Sequence, residues 1–366
     1  MLSWLLILFV AVPVVVVAMI VSLFAWQHFQ TRGLAYFGRS REERVRLKKR
    51  VARIGRLIRP LFRVITVREP DPNQFTVRHE GIYVPANTCN RRTLTDAVNY
   101  VPKKEDIFVV TQMKCGTTWM QQIVYEILMG GEGNLDDGGH GHLHSISPWL
   151  ESVNGPGTAC APLVGNLGRR IIKTHLPARL CPESDVAKYL YVTRNPSSCF
   201  ASSRDFFRST VGEFTPLDST LLDWFCSDRM WWGSWPAHVT GWYERSQGKT
   251  NTLFLHFEEM TQDLPEVIRR VAAFLGVHCS DSRVEGIAAK CEFEYMKNNE
   301  EVFEMLPPNF FSTGEGVLRS GALDRYRTLS AEERSQIESF CRTEMKGGAL
   351  SFARYLEEVR EKVNSC

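Results

Sequence analysis

Apolar positions fall into three regimes along this chain. From Leu2 to Trp26 nothing is charged, one proline (Pro13) interrupts, and Val, Leu, Ile and Phe predominate. A helix needs about 20 such residues to cross the hydrocarbon core of a bilayer, so the run predicts a transmembrane helix. A signal peptide would have a basic leading segment, a shorter apolar core and a small-residue cleavage site. Here no charge precedes the run, and bulky Phe24, Trp26 and Phe29 stand at its end. The reading is therefore an uncleaved anchor, with Trp4 and Trp26 where interfacial aromatics would sit.

In the second regime, Val45, Leu47, Val51, Ile54, Leu57, Ile58 and Leu61 are interleaved with basic residues. That is the pattern of a helix lying on anionic lipid. A solvated basic linker that only sets topology fits it equally.

The third regime alternates. Strand-like runs at Ile107–Val110, Arg170–Lys173, Tyr189–Val192 and Thr252–Leu255 stand between or before helical patterns at 119–129, 197–208, 221–245, 264–275 and 330–345. Such alternation predicts an α/β domain with a central, mostly parallel sheet and helices on both faces. Pro70 to Pro102 is polar and reads as the way into this domain. Gly130 to His144 is rich in glycine and histidine and predicts a mobile surface loop, whose alternating His140, His142 and His144 are not expected to hold a metal. Phe352 to Val363 predicts an amphipathic helix docked on the domain. No internal repeat is visible.

Charge sharpens the division. Between residues 32 and 63 stand twelve Lys and Arg against Glu42 and Glu43, a net of +10; with +3 for the whole chain, the remainder nets −7. Basic residues close to a span tend to stay cytoplasmic. This collar therefore predicts an outside N-terminus and a cytosolic domain, with the Golgi or ER lumen as the alternative. Nucleic acid is not an expected partner, because no aromatic or motif accompanies the charge. Ten cysteines lie without a Cys-x-x-Cys pair. That argues against structural zinc and for a reducing compartment.

Candidate chemistry begins at Glu105–Trp119, where a buried strand runs through a small-residue loop into a helix. A helix N-terminus offers unpaired N–H groups and a favourable dipole to an anion. The loop departs from the Walker A spacing: Lys114 lies two residues before Gly116, Thr117 takes the lysine position, and the upstream glycine is absent. A nucleotide with a short 5′ chain fits better than a triphosphate.

Lys173 and His175 end a second strand, where parallel sheets bind ligands; two residues apart, they project to one side. His175 could act as a base or serve as a structural hydrogen-bond partner. Arg194 ends a third strand, and Ser202 follows on the next helix, which suits a phosphate. Leu318–Tyr326 places Arg319 beside Gly321 in a loop able to wrap a second phosphate.

In this order the segments resemble the cytosolic-type sulfotransferases, which use 3′-phosphoadenosine-5′-phosphosulfate. Lys114-Cys115-Gly116-Thr117-Thr118-Trp119 looks like that family's 5′-phosphosulfate loop. Lys173-Thr174-His175-Leu176-Pro177 matches its catalytic motif. Arg194 and Ser202 keep the spacing of its 3′-phosphate site, and Arg319-x-Gly321 looks like the start of its Arg-Lys-Gly loop. Ser147–Glu151 and Trp232–Trp242 agree. The resemblance spans about residues 75–350.

It implies a single-domain, P-loop-like fold over residues 75–366; the anchor (1–31) and basic juxtamembrane segment (32–74) before it come from the apolar and charge patterns, and such an anchor is not typical of that soluble family. It further implies His175 as base, with Lys114 and Lys173 neutralising charge. The donor would be held by Lys114, Cys115, Gly116, Thr117, Thr118, Trp119, Arg194, Ser202, Phe257, Cys291, Phe293, Arg319, Ser320 and Gly321, without a metal.

The departures are Cys115 for serine, Cys291 for threonine, Phe257 for tyrosine, Ser320 for lysine and Asp324 for glycine. They leave an inactive nucleotide-binding relative as an alternative, beside a P-loop-like phosphotransferase. The acceptor would be a small alcohol, sterol, phenol or amine held by loops within 80–100, 130–160 and 300–318. A homodimer is compatible with this reading.

Overall fold

In a computed structural model, which describes residues 2–65, 70–135, 141–153, 157–158, 161–304, 306–313 and 325–364, the N-terminal apolar run is one helix, α1 (Leu2–Thr31). By length and composition Ala11–Thr31 could cross a membrane, and Val12, Val14, Val15, Val17, Met19 and Val21 are exposed along it. The chain turns through Gly33 into a short α2 (Leu34–Phe37) and then α3 (Arg41–Ile65). At the start of α3, Ser40 and Glu43 cap each other: Glu43 N donates to Ser40 Oγ, and Ser40 N donates to a Glu43 carboxylate oxygen.

The basic segment forms a helix that packs against the domain through its apolar residues. Leu47 and Val51 of α3 are buried with Tyr36, Phe37 and Phe310, and Phe24, Ile54 and Ile58 pack around them. The interleaved apolar residues therefore seat the helix on the domain, while Arg46, Lys49, Arg53, Arg56 and Leu57 stay exposed. Flanking ion pairs such as Arg41–Glu301 (2.9 Å) are half-exposed and contribute only about 0–1 kcal/mol each. Apolar burial and backbone contacts hold the helix down.

The domain opens with an antiparallel hairpin, β1 (Thr76–His79) and β2 (Ile82–Pro85), followed by α4 (Arg91–Val98). Positive φ at both Glu80 and Gly81 gives the turn the twist a two-residue hairpin needs. Next come β3 (Asp106–Thr111), α5 (Thr117–Leu128), α6 (Leu143–Ile146), β4 (Arg170–Thr174), β5 (Lys188–Thr193) and α7 (Pro196–Val211). After them lie α8 (Asp218–Phe225), α9 (Trp235–Ser246), β6 (Thr252–His256), α10 (Phe257–Gln262) and α11 (Leu264–Leu275). The chain ends with α12 (Asp281–Cys291), α13 (Phe293–Asn298), α14 (Ala331–Glu344) and α15 (Phe352–Asn364).

Strands β4, β3, β5 and β6 form, in that order, a wholly parallel sheet. Alternate residues pack to opposite faces: Phe108, Val110, Ile172, Tyr189 and Tyr191 join one core with α7, α9 and α15, whereas Ile107, Val109, Ile171, Leu190 and Val192 join another with α5, α11 and α12. Every β3 residue is buried, and burying one Val, Ile or Phe stabilises by roughly 1.5–3 kcal/mol. Buried Asp106, which starts β3, is met by Arg170, Tyr100 and the Lys103 amide, each at 2.8 Å.

Two expectations change. The helical pattern at 221–245 is broken into α8 and α9, because Trp232 and Gly233 take positive φ and Ser234 with Pro236 starts a new helix. The Gly/His stretch is no surface loop at its described end. His142 and His144 are buried and stack with each other (5.4 Å) under Phe37. His140 lies outside the described residues.

Candidate functional site

The carboxyl ends of β3, β4 and β5 converge on a cavity of about 570 Å³. The loop leaving β3 turns sharply, with φ +65° at Lys114 and +98° at Gly116. Gly116 caps α5 in the left-handed region, and a Cβ there would meet the Phe257 ring at 2.7 Å. This is one place where only glycine fits. Thr117, Thr118 and Trp119, the first residues of α5, line the cavity with Lys114 and Gly116.

Burial, then the charges of Arg194 and Arg325, lowers the Lys114 amine to about 8; its Nζ lies 5.0 Å over the Phe206 ring. Cys115 is placed differently from its neighbours. Its thiol is buried behind the loop, 3.8 Å from Cys199 Sγ and 3.7 Å from the Met113 oxygen. It does not line the cavity, although Lys114 and Gly116 on either side do.

His175 follows β4. Its amide donates to Glu151 (2.8 Å), whose other carboxylate oxygen accepts from Thr174 Oγ1 (2.8 Å). Its carbonyl lies 3.0 Å from His238 Nε2, whose Nδ1 lies 2.9 Å from the Tyr191 hydroxyl. The His175 Nδ1 lies 2.8 Å from the Thr111 oxygen. An N–H on Nδ1 satisfies that carbonyl and leaves Nε2 as the ring's acceptor. Burial first, and Lys173 next, push the imidazole well below its usual pKa, so it is neutral near pH 7.

Lys173 is equally buried, its Nζ 3.7 Å from the Trp149 ring; burial lowers it to about 7, with Glu151 opposing. Trp149 and Trp232 flank His175, with ring centroids 5.0 and 4.9 Å away.

Arg194 follows β5, stacks 4.1 Å over Phe257 and shares the cavity with Ser202 from α7. Trp119 bonds the Cys291 oxygen (2.7 Å) and packs edge-on against Phe257. With Cys291 and Phe293 lining the cavity too, a flat base has faces to stack on. Arg319, Ser320, Gly321 and Asp324 lie outside the described residues. Arg325 does line the cavity and pairs with Asp205 at 2.9 Å.

The far half of the cavity is apolar: Pro85, Trp149, Phe206, Phe207, Val211, Trp231, Trp232 and Leu306, with Asn87, Thr88 and Thr210 as polar points. Pro85, Asn87 and Thr88, Trp149, and Leu306 bring the 80–100, 130–160 and 300–318 stretches to this lining. Phe206, Phe207, Thr210, Val211 and the Trp231–Trp232 pair were not legible as wall residues. Only the adjacency of two tryptophans before Gly-Ser-Trp-Pro hinted at them. Gln112 anchors that pair, donating to the oxygens of Trp231 (3.0 Å) and Gly233 (2.6 Å).

Residues 104–349 match the family described as "Sulfotransferase domain". The chain is 29% identical over 264 residues to Sulfotransferase 1C2 of Oryctolagus cuniculus, covering 69% of this chain and 88% of the relative. It is 30% identical over 253 residues to Sulfotransferase 2A1 of Macaca fascicularis, covering 66% and 85%. In fold it resembles the crystal structure of a mouse sulfotransferase complexed with PAP, with TM-score 0.59 and 21% identity over 80% of this chain and all of that one.

Proposed function

The chain belongs to the sulfotransferase family, and from that premise we propose how its residues act and what acceptor it takes. The reaction is transfer of a sulfuryl group from 3′-phosphoadenosine-5′-phosphosulfate. The donor supplies an activated sulfuryl group on a phosphate leaving group; the chain supplies binding, orientation and a base. Gly116 to Trp119 present helix N–H groups to the 5′-phosphate, Lys114 and Lys173 neutralise the developing charge, and Arg194 with Ser202 takes the 3′-phosphate. Arg319, Ser320 and Gly321 complete that phosphate site in this reading. Trp119, Phe257, Cys291 and Phe293 sandwich the base.

The observation that carries the reading is His175, a neutral imidazole with Nδ1 facing the Thr111 carbonyl. It takes the acceptor's proton at Nε2, beside two buried lysines. The aromatic wall around it suits an amphipathic alcohol, sterol or phenol better than a charged acceptor.

A thermal-shift comparison of 3′,5′-bisphosphoadenosine with ATP–magnesium tests the donor site, because a ligand stabilises in proportion to its excess over Kd. The bisphosphate is expected to stabilise and ATP–magnesium to leave the melting temperature unchanged; the reverse result overturns the reading. Mass spectrometry of a lysate incubated with labelled donor then identifies the acceptor.

The N-terminal segment in this reading is a single-pass anchor with its N-terminus outside and the domain in the cytosol. The +10 collar beside α1 supports this orientation.

A further inference from the structure

The wall that closes the acceptor half of the cavity is braced from behind by the N-terminal helices. Leu306 lines the cavity, and the chain runs from it through Asn309 to Thr313. One side of this segment is tied to the end of α7: Asn309 Nδ2 donates to the Thr210 oxygen (3.1 Å), and Thr313 N donates to the Ser209 oxygen (3.0 Å). Thr210 and Val211 are themselves cavity residues.

The other side is held by α1 and α3. Arg59 donates through Nε to the Phe310 oxygen (2.9 Å) and through a terminal nitrogen to the Ser312 oxygen (3.0 Å). Phe310 N donates to Gln27 Oε1 at 3.3 Å. Gly55 lets α3 approach so closely that a Cβ there would stand 2.2 Å from the Phe310 oxygen. Phe310 is wholly buried, and Phe24 meets it edge-on at 5.3 Å. The matched family domain begins at residue 104, so this brace comes from chain N-terminal to it.

We propose that Arg59, with Gly55 and Gln27, positions the acceptor wall, which makes the N-terminal helix pair part of the acceptor site as well as an anchor. The inference rests on the sulfotransferase reading. Arg59 touches neither substrate nor reacting atoms; it acts through Phe310 and Ser312. A guanidinium meeting two carbonyls fixes the segment's distance and tilt at once, which one ammonium cannot do. The donor half also rests on α5, α10 and α12, which none of these bonds reaches, so loosening the wall acts chiefly on acceptor binding.

The test uses the full-length chain in detergent, with 2-naphthol as acceptor probe. Arg59→Ala is expected to raise KM for 2-naphthol about tenfold, the loss that goes with two charge-assisted bonds partly replaced by water. The kcat and the thermal shift with 3′,5′-bisphosphoadenosine should stay near wild type. Arg59→Lys should recover part of the loss, and Gln27→Ala should move KM the same way by less. Amide exchange over 306–313 should quicken in Arg59→Ala. Wild-type KM in a folded Arg59→Ala protein overturns the proposal; if the wild type does not sulfonate 2-naphthol, unchanged exchange over 306–313 overturns it instead. Failure of the wild type to bind the bisphosphate would count against the sulfotransferase reading itself.

Discussion

His175 Nδ1 faces the carbonyl oxygen of Thr111 at 2.8 Å, so the last residue of β3 dictates which ring nitrogen is free on the residue that follows β4. The register of the parallel pair makes the contact, since Val110 lies opposite Thr174. His175→Ala is therefore expected to slow turnover by roughly 10²–10⁴, the range for a positioned general base. Binding of 3′,5′-bisphosphoadenosine should be retained. Rapid-mix single turnover together with calorimetry measures both; near wild-type turnover would remove His175 as the base.

The two buried lysines make donor binding a proton-linked event. Burial holds the Lys114 amine at about 8 and the Lys173 amine at about 7, so above these values the free site is progressively uncharged. An anion in the site favours the charged forms, so binding at about pH 8.5 takes up protons, and affinity falls as pH rises through this window. Calorimetry in buffers of different ionisation enthalpy reads the uptake, and Lys173→Met should reduce it. Binding without proton exchange would contradict the assignment.

Gly116→Ala addresses the donor loop without touching a charge. The residue sits at φ +98° with Phe257 where the new methyl would go. Strain in the left-handed region is about 1–2 kcal/mol before any clash. Affinity for the bisphosphate should fall by about 10–100-fold, while secondary structure by circular dichroism is kept. A titration matching wild type would show that the loop is not the anion cradle.

Gln112→Ala should loosen the Trp231–Gly233 bend and with it the cover over His175. Trp232 is a bulky residue at φ +61°, a conformation its surroundings must impose. The expected signature is a raised acceptor KM with donor KM unchanged. Equal effects on both would instead indicate general disruption.

Topology has a direct test. Protease added to sealed microsomes should digest the domain without detergent if the collar lies on the cytosolic side. Protection of the whole domain would place it in the lumen.

The parts of this protein that could be read from sequence are those set by neighbouring residues. Ile107–Val110 are β-branched or aromatic and buried on both faces, and the Lys114–Trp119 loop and the Lys173–His175 pair are each contiguous. What escaped depends on distant chain. Nothing near Cys115 announces that its thiol turns to Cys199, and nothing near His142 announces the Phe37 ring above it. The break between α8 and α9 hid because Trp224, Phe225, Met230 and Trp231 keep an apolar rhythm across it, while the positive φ at Trp232 is imposed from outside. The basic helix was legible as amphipathic, but its occupant, Phe310, lies some 250 residues onward.

That separation bears on how the protein is made. Gln27 meets the amide of Phe310 across 283 residues of sequence. At roughly 5–20 residues per second, the usual pace of synthesis, the N-terminal helices wait about 15–60 seconds for the segment they will brace. Throughout that interval Leu47, Val51 and Ile54 have Tyr36, Phe37 and Phe24 beside them but lack Phe310, so the seam closes only when the 306–313 segment emerges.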